Sequence, residues 1–350
     1  MNEEKTTTVL AIETSCDETG IAVVRKVEDS IQVMSEEVAS QINIHKETGG
    51  VVPEVAAREH VRVIRPLVEK ALGDAGISGE ALDAIAVTVG PGLMPALAIG
   101  VQAARSLAYA WDKPIVPVHH LEGHVYSALL ERSDGSKQDF PALALIVSGG
   151  HTMLIEVAGH LQYKIIGTTR DDAAGEVFDK VARMLELPYP GGPQISELAE
   201  QGSSAAYQFP RPMINSGDLD FSYSGLKTSV LYTIRGLDRV TFEQQKTDIA
   251  ASFQQAVIDS LIAKVKQALA AKKYATVLLA GGVAANKRLR EELVVAAGEL
   301  DVELRIAPTH LCGDNGAMIG MSGVLAYEAG RVQQWNTVEP SARISIESFV

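Results

Sequence analysis

Val9-Leu10-Ala11-Ile12-Glu13-Thr14-Ser15-Cys16-Asp17-Glu18-Thr19-Gly20-Ile21-Ala22-Val23-Val24 reads as strand, polar turn, strand. Small hydroxyl-bearing turns of this kind can approach a phosphate closely. A plain hairpin would not need Glu13, Asp17 and Glu18 so near one another, and carboxylates beside a phosphate imply a bridging metal or a catalytic base. The pattern recurs. Ala142–Val147 is apolar, Ser148-Gly149-Gly150-His151-Thr152 is a small-residue turn, and Met153–Val157 is apolar again. Two such hairpins point to a duplicated architecture in which two related lobes face one another.

The intervening chain alternates helices and strands. Val55–Gly73 keeps a helical apolar period, and Arg58, Arg62 and Arg65 on it form either a solvated face or a stripe for an RNA backbone. Ala84–Val89 is a strand, Leu97–Ala110 a helix rich in Ala and Gly, and Ile115–Val118 a buried strand. Val38–Val55 reads as an irregular loop. Beyond the second hairpin, Asp171–Met184 is expected to be helical with Asp171 or Asp172 as its N-cap. Pro188–Pro193 is a rigid turn, Phe221–Lys227 a polar aromatic loop and Asp248–Ala271 an amphipathic helix. Thr276–Ala280 is a strand leading into Gly281-Gly282 and a further helix, Leu304–Ile306 is a strand, and Cys312–Met318 opens the last core helix. The alternation argues an α/β fold. Ser133–Asp139 is polar and reads as a lobe junction, so residues 1–132 with 325–350 are expected in the first lobe and 133–324 in the second.

Ile115–Val118 delivers the chain to His119-His120-Leu121-Glu122-Gly123-His124. At i and i+4 on a helix, His120 and His124 share one face and offer two nitrogens to one metal ion. In the metalloprotease motif a Glu directly follows the first His and activates the metal-bound water. Here Glu122 is displaced by one position, roughly 100° around the helix, so the metal reading stands and the protease reading weakens. A pair of capping or surface histidines is the structural alternative. Asp314, between Gly313 and Gly316 at a loop-to-helix start, is the candidate third ligand. Two His and one carboxylate with open positions suit Fe(II), and also Zn(II). Strand, Gly281-Gly282, then helix is a nucleotide-binding geometry, because glycines admit the main chain close to a ligand and the helix start favours negative charge.

The 350 residues suggest two domains, and 46% hydrophobic with 21% charged residues describes a globular protein. No apolar run approaches a membrane span, and the acidic, polar start lacks the form of a signal peptide. Two cysteines make no disulfide framework, so a reducing, cytoplasmic setting is expected. A net charge of −13 excludes binding nucleic acid by overall charge, so an RNA substrate would need a local basic surface or a partner's.

Together the hairpins and the Gly-Gly turn resemble the actin-like ATPase and sugar-kinase superfamily, a two-lobed fold with a central nucleotide cleft. Seven ordered motifs narrow this: Glu13–Thr19, His120–His124, Val147–Thr152, Asp171–Lys180, Pro190–Pro193, Phe221–Thr228 and Gly281–Arg290. Over nearly its full length the chain resembles the bacterial TsaD family, the tRNA threonylcarbamoyladenosine transferases. The resemblance implies an acyltransferase that moves threonylcarbamoyl from threonylcarbamoyl-adenylate to the N6 amine of the adenosine 3′ of the anticodon, in tRNAs reading codons that begin with A. It implies that His120, His124 and Asp314 hold iron. Val147, Ser148, Gly149, Gly150 and His151 would contact the phosphate and acyl region, Asp179 the ribose, Gly192 the nucleotide and Asn286 the adenosine side. Family members often carry Asp where this chain has Ser196, whose hydroxyl can bond a ribose but brings no charge. The implied partners are the paralogue TsaB and the small ATPase TsaE. Glu13, Asp17 or His151 would assist proton removal. Rival activities on the same pattern are an ATP-driven small-molecule kinase, a metalloprotease and a non-catalytic scaffold.

Overall fold

The computed structural model describes residues 6–129 and 140–349. The expected junction at Ser133–Asp139 lies outside them. The chain forms two units, Met1–Lys137 with Gly313–Val350, and Gln138–Cys312.

In the first unit, β1 (Thr6–Glu13), β2 (Glu18–Val27) and β3 (Ser30–Ser40) form an antiparallel meander. Helices α1 (Ile42–Thr48) and α2 (Pro53–Ala75) follow, then β4 (Ala84–Gly90), α3 (Met94–Trp111), β5 (Ile115–His119) and α4 (His120–Ser127). The sheet order is β3-β2-β1-β4-β5, with β4 and β5 parallel to β1. The segment read as irregular therefore holds the end of an edge strand and a short helix. The half-buried pattern of β3, with Glu36 and Glu37 in it, lacks the apolar alternation that would announce a strand. Helix α2 begins earlier than its apolar period because Pro53 sits at its first turn, and Gly76 ends it in the left-handed conformation. On α2, Arg62 pairs with Glu59 and Arg65 with Glu69 at exposed positions, the pattern of a solvated helix face.

In the second unit, β6 (Ala142–Val147), β7 (Thr152–Gly159) and β8 (Gln162–Thr168) form another antiparallel meander. Then come α5 (Ala174–Met184), α6 (Gly191–Ala199), α7 (Ser224–Arg235), α8 (Arg239–Ala271), β9 (Thr276–Ala280), α9 (Lys287–Glu299) and β10 (Glu303–Ile306). The order is β10-β9-β6-β7-β8, with β9 parallel to β6 and β10 to β9. Each sheet has its first strand in the middle, two antiparallel neighbours on one side and two parallel strands on the other. That shared topology is the duplication expected from the two hairpins.

Three local expectations change. Helix α8 starts well before Asp248, because the Asp238 carboxylate accepts from Val240 N (2.9 Å) and Thr241 N (3.0 Å) and caps it. Helix α5 has no side-chain cap. Asp171 instead accepts from Tyr223 N (2.8 Å) and Ser224 N (3.4 Å) at the start of α7, which takes in part of the segment read as an aromatic loop. Finally, α10 (Gly316–Glu328) belongs to the first unit. Its Gly320 and Gly323 let it lie against Val24, Ala11 and Ala86, so the chain returns to that unit at Gly313 and not at the expected 325. The opposite face of the same sheet, with Leu10, Ile12, Ile21, Val23 and Val87, is covered by Ile64 and Val68 of α2 and Val101 and Ala104 of α3.

Candidate functional site

Strand β5 ends at His119, whose extended backbone makes it the N-cap of α4. His119 Nδ1 accepts from Leu121 N (3.1 Å), and Glu122 Oε2 accepts from His119 N (3.3 Å). This capping box starts the helix at His120, so His120 and His124 lie one turn apart and meet edge to face, with ring centroids 4.7 Å apart. Asp314 approaches both: Oδ1 lies 3.6 Å from His120 Nε2 and 3.3 Å from His124 Nε2. The three ligand atoms lie within 4.8 Å of one another. Asn315 fixes the loop that carries Asp314, its Oδ1 capping α10 at Met318 N (2.8 Å) and its Nδ2 donating to Gly313 O (2.8 Å). The histidines are buried, while Asp314 is 18% exposed.

Behind His120 sits Glu13, at the end of β1 and fully buried. Its Oε2 accepts from Thr88 Oγ1 (2.6 Å) and lies 3.3 Å from His120 Nδ1, and its Oε1 accepts from Ser15 N. Ser15 Oγ is 3.1 Å from the same ring nitrogen. Burial disfavours the imidazolium of His120, but the carboxylates of Asp314 and Glu13 outweigh it and push the pKa up to about 9. Burial, with Asp17 and Asp314 nearby, holds the Glu18 carboxyl well above its usual range. The turn read from the sequence therefore crowds its carboxylates toward Asp314, and Asp17 is buried there too.

The second unit assembles other expected residues. In the β6–β7 turn, Ser148 N donates to His151 O (2.8 Å) and His151 N to Ser148 Oγ (3.2 Å), leaving Gly149 and Gly150 exposed. Gly175 N donates to Ser148 O (3.2 Å), which brings the start of α5 to the turn. Gly281 has φ +93°, and a Cβ there would fall on the Val147 carbonyl oxygen, so the Gly-Gly turn lies against the same strand end. Asp179 Oδ1 accepts from Gly191 N (2.7 Å), anchoring α6. Asn286 Nδ2 donates to Ser196 Oγ (2.7 Å) and Gln254 Oε1 (2.8 Å), and Ser196 Oγ donates to Gln254 Oε1 (3.0 Å). Ser196 and Gln254 line a cavity of about 430 Å³ that Glu200, Lys287 and Arg288 also border.

Residues 32–321 match the family described as TsaD, tRNA N6-adenosine threonylcarbamoyltransferase. The chain belongs to the TsaD family. That description makes the family one of transferases that act on tRNA. Among solved structures it is similar to full-length HypF in a phosphate- and nucleotide-bound form (14% identity, TM-score 0.61, 96% of this chain and 57% of that one). It is also similar to component A of the Acidaminococcus fermentans (R)-2-hydroxyglutaryl-CoA dehydratase (17%, 0.51, 92% and 98%) and to T. kodakarensis HypF (15%, 0.60, 95% and 49%). The chain thus spans about half the length of the HypF chains. These likenesses show the fold alone.

The donor set of this TsaD-family chain fits a metal ion. Both ring nitrogens of His124 are buried without a hydrogen bond, a costly state for an imidazole unless an ion takes one of them. Two imidazoles and one partly exposed carboxylate make an open N/N/O set suited to a divalent transition ion. Glu122 is 0% exposed, occupied by the cap and by Arg331, and turned away from the base position of a metalloprotease. Sequence reasoning missed Thr88, Ser15 and Gln254. Thr88 is a lone polar residue in a buried strand, which is a usable signal. Gln254 sits inside a long helix and has none. Among the described residues, no helix is long and apolar enough to cross a membrane.

Proposed function

We propose that the protein transfers the threonylcarbamoyl group of threonylcarbamoyl-adenylate to the N6 amine of the adenosine 3′ of the anticodon in tRNAs reading A-starting codons. The family match over residues 32–321 carries this reading. The amine nitrogen attacks the carbonyl carbon of the mixed anhydride, the bond from that carbon to the phosphate oxygen breaks, and AMP leaves with the electron pair. The leaving group is already good, so the protein's task is to position the amine and to meet the charge.

His120, His124 and Asp314 would hold the metal, iron(II) or zinc(II), which would supply positive charge to meet the charge of the leaving group. Glu13 is fully buried and acts through His120. Its buried carboxylate orients His120 through Nδ1, so that Nε2 faces Asp314 in the ligand set. The amine proton goes to Asp17 or His151. Val147–His151 receive the phosphate and acyl group, with the exposed backbone of Gly149 and Gly150 at the turn. Asp179 and Ser196 meet the ribose, and Gly192, where a Cβ would meet nothing, borders the nucleotide together with Asn286. The protein acts in the cytoplasm with TsaB and TsaE.

The test is nucleoside mass analysis after incubating the protein, both partners, threonylcarbamoyl-adenylate and an unmodified tRNA. A threonylcarbamoyl mass gain on adenosine is expected. No gain, with phosphate transfer from ATP to a small substrate in its place, would make the chain a kinase of the same fold.

A further inference from the structure

Glu122 stands between the two metal-binding histidines, and the metal reading gives it nothing to do. The structure gives it four hydrogen bonds from three donors. Arg331 Nη1 donates to both carboxylate oxygens, at 3.0 Å and 2.8 Å, Ser322 Oγ donates at 3.4 Å and His119 N at 3.3 Å. Glu122 is 0% exposed and the Arg331 side chain 9%. The Arg331 guanidinium also lies 4.9 Å above the Phe349 ring.

These contacts join particular elements. His119 N marks the first turn of α4, Ser322 the middle of α10, and Arg331 the chain just past α10, where its own N–H bonds Ala326 O (2.9 Å). The metal set is divided between the same two elements, with His120 and His124 on α4 and Asp314 in the loop that opens α10. Gly123 lets the helices meet, since a Cβ there would lie 2.9 Å from Ile319 Cδ1 and Met318 Cγ. Apolar packing of this kind resists separation but resists sliding less, whereas hydrogen bonds to a buried carboxylate fix both position and orientation.

We propose that Glu122 and Arg331 are positioning residues for the metal seat: their buried ion pair locks α4 to α10 in the one register that brings His120 and His124 to Asp314. The inference rests on the metal reading of that set. A buried ion pair adds little net stability over apolar residues of the same size, so register is the contribution that apolar packing would not replace. Metal sites tolerate displacements of only about 0.5 Å, so a slip well short of unfolding would be felt.

The test uses the metal-free, full-length protein with Co(II) as probe, in wild type, Glu122→Gln and Arg331→Lys. Arg331→Lys keeps the buried charge but changes the shape and reach of the donor that bonds both carboxylate oxygens and lies over Phe349, so it remains informative if Glu122→Gln fails to fold. Chelator competition gives the affinity, the visible spectrum of bound Co(II) gives the coordination geometry, and melting of the metal-free protein gives stability. The expected result is a loss of about tenfold or more in Co(II) affinity and an altered spectrum, at a temperature where every variant is folded. A lower melting temperature with wild-type affinity and spectrum would overturn the proposal and leave the metal site standing. A wild type that binds no Co(II) would overturn both.

Discussion

Glu13 Oε2 lies 3.3 Å from His120 Nδ1, and the other nitrogen of that ring lies 3.6 Å from Asp314 Oδ1. The imidazole thus bridges a fully buried carboxylate and a partly exposed one. A carboxylate on one nitrogen keeps the proton there and turns the lone pair of the other outward. Glu13→Gln preserves the shape but replaces an acceptor with an amide that can present N–H to the ring. Metal affinity is expected to fall about 10–100-fold, measured by chelator competition. If Glu13 were the catalytic base, single-turnover transfer would fall and metal affinity would stay at the wild-type value.

His124 tests the cost of the site itself. Its nitrogens are buried without hydrogen bonds, and Nε2 is 3.3 Å from Asp314 Oδ1. His124→Leu removes two unsatisfied polar atoms and keeps most of the buried volume. The metal-free variant is expected to melt higher, by on the order of 1 kcal/mol of stability, while it no longer retains metal through gel filtration. A metal-free variant less stable than wild type would mean that the ring is held by contacts with the protein and is not waiting for an ion.

How much of this was legible in the sequence depended on whether the partner was near in the chain. The i, i+4 histidines and the two hairpins are short-range patterns, and the structure forms them where they were expected. Asp314 was legible because flanking glycines mark a loop before a helix. The cap of α5 was misplaced because Asp171 is equally suited to either helix, and tertiary proximity delivers it to α7. Glu122 could be excluded as a protease base from its helical angle, but its task is set by Arg331, which no local pattern links to it. The start of α8 was hidden by the charged and polar run from Arg239 to Lys246, which carries little apolar period, although Asp238 supplies the cap.

His60 on α2 couples the first hairpin turn to pH. Its Nε2 donates to Cys16 O (3.0 Å) and its Nδ1 lies 2.7 Å from Thr19 Oγ1, in a fully buried position. Burial lowers its pKa, although the Cys16 carbonyl and nearby carboxylates work against the shift. An unfolded histidine takes up its proton near pH 6.5 and the folded one only at lower pH. The stability contributed by neutral His60 is therefore complete above about pH 6.5 and is lost as pH falls from there through the folded pKa. His60→Gln is expected to be less stable than wild type at pH 8 and to lose less stability between pH 7 and pH 5. Parallel melting curves across that range would show that His60 carries none of the dependence.

The adjacent glycines at 281 and 282 separate folding from ligand binding. Gly281 has φ +93° and faces the Val147 carbonyl, whereas a Cβ on Gly282 would meet nothing within 4 Å. Gly281→Ala must either accept a positive-φ, extended-ψ backbone that is essentially restricted to glycine, at about 1–3 kcal/mol, or move the turn away from β6, so its melting temperature is expected to drop. Gly282→Ala has room and should melt within a degree or two of wild type, because alanine also restricts the unfolded chain. If this turn lies against a bound nucleotide, however, the methyl group occupies the ligand's space. Gly282→Ala should then weaken adenylate binding several-fold in calorimetry without a change in stability. Wild-type binding by a normally folded Gly282→Ala would place the nucleotide elsewhere in the second unit, with the 430 Å³ cavity beside Ser196 as the next position to test.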